Sequence, residues 1–273
     1  DYVAWSFREA PGFFDIVTWT GDGSSSREIP HNLGTAPGMI LIKMTSDSDS
    51  WIVYHKGIGA THFGYLNLNH QFGDSASRFN DTEPTASVFT IGNDNGVNQN
   101  DKTFVAYLFA DNPSKKIKCG SYTGTGSPGN VIDLGFEPKF FMVKRTDSNI
   151  NANWIMVDVE RGMPASGDAS YLMANEPDSE VGRNIQINPT STGVVINESG
   201  QQNESNGNYV YMAIGEAGTP DTTELTFQDN TALSALTSGM AITSNLTPTL
   251  GSLFSTYLYQ GTNSALTIDN GID

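Results

Sequence analysis

The loop Ser46-Asp47-Ser48-Asp49-Ser50 places two carboxylates two residues apart, and Asn93-Asp94-Asn95-Gly96-Val97-Asn98 offers further side-chain oxygens of the kind calcium accepts. Neither run has the EF-hand spacing with its closing bidentate glutamate, so both read as solvated turns. His31, His55, His62 and His70 lack the spacing of a metal-ligand set and are expected to be solvent-exposed or to cap local backbone. Cys119 is the single cysteine, which excludes an intrachain disulfide and reads as a buried structural thiol. No Gly-Xaa-Ser-Xaa-Gly elbow occurs. The turns Gly21-Asp22-Gly23 and Gly124-Thr125-Gly126 lack the lysine and helix that would make a phosphate cradle. Among the many acidic residues a close carboxylate pair of glycosidase type could arise by chance, and nothing in the spacing promotes one. The expectation is therefore no catalytic residue, no metal site and no cofactor. Trp51 and Trp154 could stack on sugars, but their recurrence at matched places points to packing.

The elements that carry these residues repeat. Phe104-Val105-Ala106-Tyr107-Leu108-Phe109-Ala110 can be laid on Tyr2-Val3-Ala4-Trp5-Ser6-Phe7-Arg8 and on Tyr209-Val210-Tyr211-Met212-Ala213-Ile214-Gly215, about 100 residues apart each way. Such a run reads as the buried last strand of a module. Thr20-Gly21-Asp22-Gly23 recurs as Thr123-Gly124-Thr125-Gly126, displaced by 103 positions. Leu33-Gly34 with Pro37 recurs as Leu134-Gly135 with Pro138, and each precedes an apolar run ending at a lysine, Lys43 or Lys144. Those runs should be central strands. Trp51 then matches Trp154, Lys56-Gly57 matches Arg161-Gly162, Tyr65 matches Tyr171, and Val88-Phe89-Thr90-Ile91-Gly92 is laid on Val194-Val195-Ile196-Asn197-Glu198. Pro, Gly and Asn interrupt every candidate helix.

The pattern predicts an all-β chain: two tandem β-sandwich, jelly-roll-like modules over 1–111 and 112–217, each of about eight strands, plus a small β unit over 218–273. Leu225-Thr226-Phe227, Met240-Ala241-Ile242, Phe254 to Tyr259 and Ala265 to Ile268 are the strand candidates of that third unit. Its scarcity of large aliphatics suggests that it leans on the second module or on neighbouring chains, with Phe254, Tyr257 and Tyr259 as oligomer contacts. Receptor contact is expected in the unequal loops, Gly73 to Pro84, Gln99 to Lys102 and Gly200 to Asn208.

A formal charge of −16 would repel a phosphate backbone or an anionic bilayer from most of the surface, so neither nucleic acid nor membrane insertion is expected. No apolar run of membrane-spanning length or signal-peptide layout is seen. The opening within a strand-like run and without Met is expected of a segment of a longer polypeptide.

The run Ala4-Trp5-Ser6-Phe7-Arg8-Glu9-Ala10-Pro11-Gly12-Phe13-Phe14-Asp15, with Thr20 to Gly23, Ile29 to Gly34 and Pro37-Gly38-Met39, resembles a module of tail-fibre-like virion proteins of tailed bacteriophages, often marine and cyanobacterial ones. Leu225 to Asp229, Leu236 to Met240 and Leu266 to Asp269 are similar to small β repeats that often follow that module. The motifs are structural glycines, prolines and aromatics. The resemblance implies a non-enzymatic structural protein of the virion tail: an extended fibre, most often a homotrimer, joined to other tail or baseplate proteins and touching a host-surface polysaccharide or receptor. A capsid-attached decoration protein and a fibre-borne polysaccharide depolymerase are the alternatives.

Overall fold

The computed structural model describes residues 5–180 and 185–216 in full, and the backbone alone of 2–4 and 254–259. The first repeat contains β2 (Phe14–Thr20), β3 (Arg27–Pro30), β4 (Pro37–Met44), β5 (Ile52–His55), β6 (His62–Tyr65), β7 (Gly73–Asp74), β8 (Val88–Ile91) and β9 (Thr103–Ala110). The second contains β10 (Ile117–Thr123), β11 (Asn130–Asp133), β12 (Pro138–Arg145), β13 (Ile155–Asp158), β14 (Leu172–Met173), β15 (Ile187–Thr190), β16 (Gly193–Ile196) and β17 (Asn208–Gly215). Helix among the described residues is limited to the single turns α1 (Ala76–Phe79) and α2 (Asn95–Asn98) and two 3₁₀ turns, as the interrupted periodicity implies.

The strands form one large and one small antiparallel sheet per repeat. The large sheets run β2-β9-β4-β5-β6-β7 and β10-β17-β12-β13-β14; the small ones are β3-β8 and β11-β16-β15. Strand order thus recurs, except that the middle segment extends the large sheet in the first repeat and the small sheet in the second. The predicted central strands β4 and β12 are central, and each carries a register shift just after its proline, between Pro37 and Met39 and between Pro138 and Phe140.

Alternation along these strands produces four layers. In the first repeat Ile40, Ile42, Met44, Phe104, Ala106, Leu108 and Trp19 share the face covered by Ile29, Phe89 and Ile91 of the small sheet; the Trp19 and Phe89 rings meet at 5.9 Å. In the second, Phe141, Val143, Tyr209, Tyr211 and Ala213 face Ile132, Val194, Ile196 and Ile187. The opposite face of the second large sheet carries Ile117, Cys119, Phe140, Met142, Val210, Met212 and Ile214, which join the core of the first repeat. The two large sheets therefore pack against each other and share one hydrophobic core. Polar contacts stitch the seam: Trp154 donates its indole N–H to Tyr65 O at 2.7 Å, and the Phe72 N–H donates to Thr146 O at 2.9 Å.

Two sequence alignments slip. β3 and β11 match with Ile29 on Ile132, and Ile29 pairs Phe89 whereas Ile132 pairs Val194. Phe89, not Val88, therefore corresponds to Val194. A one-residue slip reverses the face of every side chain, and the buried Phe89 and Ile91 settle which register is right. Likewise Tyr65 pairs Ile52 whereas Met173 pairs Ile155, so Tyr65 corresponds to Met173 rather than to Tyr171.

β1 (Tyr2–Phe7), the strand that resembles β9 and β17, belongs to neither large sheet. It pairs antiparallel with β18 (Phe254–Tyr259) from Tyr2↔Tyr259 to Phe7↔Phe254. Trp5 packs edge-on to Phe140 at 5.8 Å, and Phe7 packs on Phe14 and Phe109 at 5.2 and 5.3 Å. One short strand thus touches both large sheets. The other three strand candidates of the C-terminal unit lie outside the described residues.

Candidate functional site

The face of the first large sheet that meets the second repeat also carries a row of near-parallel rings, left partly open at Tyr107 and Trp51. Neighbouring strands bring buried Phe14 of β2 and Tyr107 of β9 to 6.3 Å at 11°, and Trp51, entering β5, lies 6.1 Å from Tyr107 at 21°. Trp51 and Tyr107 are half-buried, Thr18 is exposed and Ile16 is 38% exposed beside them. The Trp51 backbone N–H is fixed by Asn67 Oδ1 at 2.9 Å, while its indole N–H has no partner among the described residues. Such a surface offers π faces and one donor, which is what a sugar ring with one apolar face requires. Trp154, its counterpart, is positioned the same way by Asn175 Oδ1 at 2.8 Å, yet its ring is 1% exposed in the seam, tilted against Phe72 at 6.4 Å. The expected packing role holds for Trp154, and the two copies part at Trp51.

A carboxylate pair stands in the second repeat. Burial pushes the Glu198 carboxyl up to about 7, against the opposing bond from the Gln202 N–H, and the negative Asp168 adds to the rise. Asp168 is exposed and accepts from Gln186 Nε2 at 3.0 Å. A carboxyl raised by burial with a second carboxylate near it is the pattern sought in an acid and its partner. Here, however, Glu198 Oε1 is buried and turned away from solvent, so its proton is not presented to a substrate as drawn.

The remaining candidates are consumed by the scaffold. His31 and His55 are 6% and 0% exposed, correcting the expectation of solvent-exposed histidines, while the capping alternative fits both: His31 Nδ1 accepts from the Leu33 N–H at 3.3 Å and His55 Nδ1 from the Gly57 N–H. His55 points into the seam because alternation on β5 puts it on the face covered by the second repeat. Its Nδ1 accepts from the Gly57 N–H at 3.0 Å, so Nε2 carries the hydrogen and donates to Tyr211 O at 3.0 Å. Burial holds this imidazole down to about 4. His62 is half-buried and His70 exposed. Cys119 is buried and burial pushes its thiol up, so a nucleophilic thiolate is disfavoured. Asp47 pairs with Lys102 at 3.0 Å and Asp94 caps α2 through the Gly96 N–H at 2.7 Å while pairing with Arg78.

Sequence reasoning missed Asn98 and Asn203, both 0% exposed. Asn98 Nδ2 donates to Asp22 Oδ1 at 3.0 Å and Ser24 O at 3.1 Å; Asn203 Nδ2 donates to Ser127 O at 2.8 Å and Glu198 O at 2.7 Å. These amides hold the Gly-Xaa-Gly turns, which serve close approach rather than phosphate: a Cβ on Gly21 or Gly124 would run into the carbonyl oxygen of Gln99 or Glu204. The signal was present as an Asn in each copy following the aligned strands β8 and β16. The loops expected to meet a receptor are likewise partly internal, with Phe79, Gln202 and Asn203 buried. The side chains of Phe254, Tyr257 and Tyr259 lie outside the described residues. Among the described residues no group of three or more His, Cys, Asp or Glu could hold a metal ion, and no helix is long and apolar enough to cross a membrane.

Fold and site together define an all-β tandem-repeat scaffold with one half-open aromatic face. The profile described as "Domain of unknown function (DUF7483)" matches residues 1–218, and the chain belongs to that family. No curated protein matches the sequence. Among solved structures, one match is to a chain titled "Crystal Structure of the STIV MCP", at 7% identity and a TM-score of 0.18, covering 78% of this chain and 91% of that one. A score that low carries no argument about fold or role.

Proposed function

We propose that the chain is a non-enzymatic structural protein of a tailed-bacteriophage particle, a tail fibre or fibre-like appendage that helps attach the virion to a host-surface polysaccharide. The observation that carries this reading is the fusion of two repeats through one shared core, which makes a stiff unit suited to spacing and load rather than to a hinged active-site cleft. The half-buried pair Tyr107–Trp51 is the surface offered to the polymer, where many weak copies would add avidity in a homo-oligomer. The sequence resemblance supplies the virion context, and homotrimeric assembly with other tail proteins follows from it.

Binding of the purified chain to a panel of immobilised bacterial polysaccharides tests the reading. Retention without release of reducing ends is expected, weakened at least several-fold by Trp51→Ala and unchanged by Asn69→Ala. Absence of retention on every polymer tried, together with a monomeric mass in light scattering, would count against it. A depolymerase is the second reading, and Glu198 with Asp168 is the carboxylate pair it would have to use, with Glu198 Oε1 exposed by a movement of its turn. It requires reducing-end release that Glu198→Gln abolishes.

A further inference from the structure

We propose that the turn from Glu198 to Gln202, with Asp168 beside it, binds a hard divalent cation of the calcium type. Two acceptor oxygens on this turn, Glu198 Oε1 and Gln202 Oε1, are buried with no hydrogen-bond partner among the described residues, and Gln202 is 4% exposed. The turn carries them as one rigid piece. The Tyr122 hydroxyl donates to Gln202 O at 2.5 Å, Asn203 Nδ2 donates to Glu198 O at 2.7 Å, and the Asn203 N–H donates to Gly200 O at 2.8 Å. The other buried orphans, on His31, Arg78 and Arg161, belong to other parts of the molecule and cannot answer these two.

Unpaired acceptors buried together are destabilising, and a neighbouring carboxylate makes them more so. One positive ligand answers the carboxylate, the amide oxygen and Asp168 at once. The donors are all oxygen, with neither imidazole nor thiolate, which selects calcium over zinc or copper. Exposed Asp168 leaves an entry path from solvent. The first repeat shows that the fold does not need these groups. With Ile91 on Ile196 and Asn98 on Asn203, the same count places Asn93 opposite Glu198 and buried Val97 opposite Gln202, and Trp19 donates to Val97 O at 3.1 Å where Tyr122 donates to Gln202 O. A valine and an asparagine have been replaced together by an amide and a carboxylate. With only two carboxylates the affinity belongs in the weak range of extracellular calcium modules, about 10⁻⁴–10⁻³ M.

The test uses terbium as a calcium surrogate on the full chain, since Tyr122 and Tyr171 lie close enough to Glu198 to feel its charge and can sensitise a bound lanthanide. Saturable terbium emission on tyrosine excitation, displaced by calcium, is expected. Glu198→Gln should weaken it about tenfold or more, and Gln202→Glu should strengthen it by adding a charged ligand while leaving the fold intact in circular dichroism. No saturable emission, or emission unchanged in Glu198→Gln, overturns the proposal. So does a Gln202→Glu chain that stays folded yet binds no tighter, because the turn would then be satisfied by a proton on Glu198 alone.

Discussion

Asn98 and Asn203 show what a single side chain does in this fold. Each is a buried amide whose donors and acceptor hold a Gly-Xaa-Gly turn against the end of the sheet: the Asp22 N–H donates to Asn98 Oδ1 at 3.1 Å and the Thr125 N–H to Asn203 Oδ1 at 2.9 Å. Removing the amide strands backbone and hydroxyl groups of the turn without partners. Asn203→Ala is expected to lower unfolding free energy by about 2–4 kcal/mol in urea titration, and Asn98→Ala by a similar amount, whereas Asn69→Ala at an exposed position should stay within about 0.5 kcal/mol. Equal midpoints for Asn203→Ala and Asn69→Ala would show that the network is dispensable. These asparagines were visible in the sequence as oxygen-rich loop residues, but loop composition does not distinguish a side chain facing water from one facing its own backbone. The same limit applies to His31 and His55: burial of an imidazole is decided by which face of its strand another sheet covers, and His55 is covered by the second large sheet, where its bonding partner Tyr211 lies 156 residues further along the chain.

At the scale of elements, the local pattern was legible and the long-range partner was not. Leu33-Gly34 and Leu134-Gly135 foretold matched turns, with Gly34 and Gly135 at φ of 71° and 79°, and the apolar runs after Pro37 and Pro138 foretold two central strands. The slip at Val88 arose because β16 is preceded by a differently sized excursion, and period-two patterns align almost as well one residue out of step. What the repeat comparison could have shown is the seam itself. At the register shift after Pro37 stands Gly38, while after Pro138 stands Lys139; a Cβ on Gly38 would run into the Cβ and Sγ of Cys119, because β10 crosses there, and Lys139 reaches solvent to pair with Glu137 at 3.2 Å. Gly38→Ala should therefore push β10 off β4 and destabilise by about 1–3 kcal/mol, the range of an overpacked core, while Lys139→Ala changes little in the same thermal melt. A neutral Gly38→Ala would place the two sheets further apart than described. β1 adds a second element-scale case. Asp158, 0% exposed, accepts from the Trp5 indole at 3.2 Å and from Arg161 Nε at 2.8 Å, and the Arg161 guanidinium lies 5.3 Å over the Trp5 ring. Arg161→Ala leaves a buried carboxylate facing only neutral donors and should cost about 3–5 kcal/mol, more than Trp5→Ala, which leaves the ion pair intact. The reverse order would make the strand, not the ion pair, the stronger tie.

For the molecule as a whole, the shared core means that neither repeat keeps its full buried surface without the other, and a single urea transition is expected where independent repeats would give two. Two buried bases in the seam then tie stability to pH, and their signs can be worked out separately. His55 is held down to about 4 by burial, against an ordinary 6.5, with Asp111 opposing and Lys56 reinforcing the effect. The unfolded chain therefore binds the proton first, so stability is full above about 6.5 and is lost as pH falls toward 4. Lys144, 1% exposed on the seam face of β12, bonds to Ala152 O and lies 5.7 Å from the Trp154 ring, and burial brings its ammonium down to about 7 from 10.5. Between pH 7 and 10.5 the unfolded state binds more protons, so this group makes stability rise with pH across that window. Glu198 acts oppositely between 4.5 and 7, because its folded form keeps the proton longer, and it blunts the acid loss that His55 causes. Lys144→Met keeps the length of the side chain and removes the ammonium, so it separates these effects. Its urea midpoint should exceed that of the natural chain at pH 7, and the gap should shrink steadily toward pH 10 as the natural Lys144 sheds its cost in the unfolded state as well. A gap that stays constant from pH 7 to 10 would mean that Lys144 remains charged in the seam, and that the two large sheets tolerate an ammonium between them.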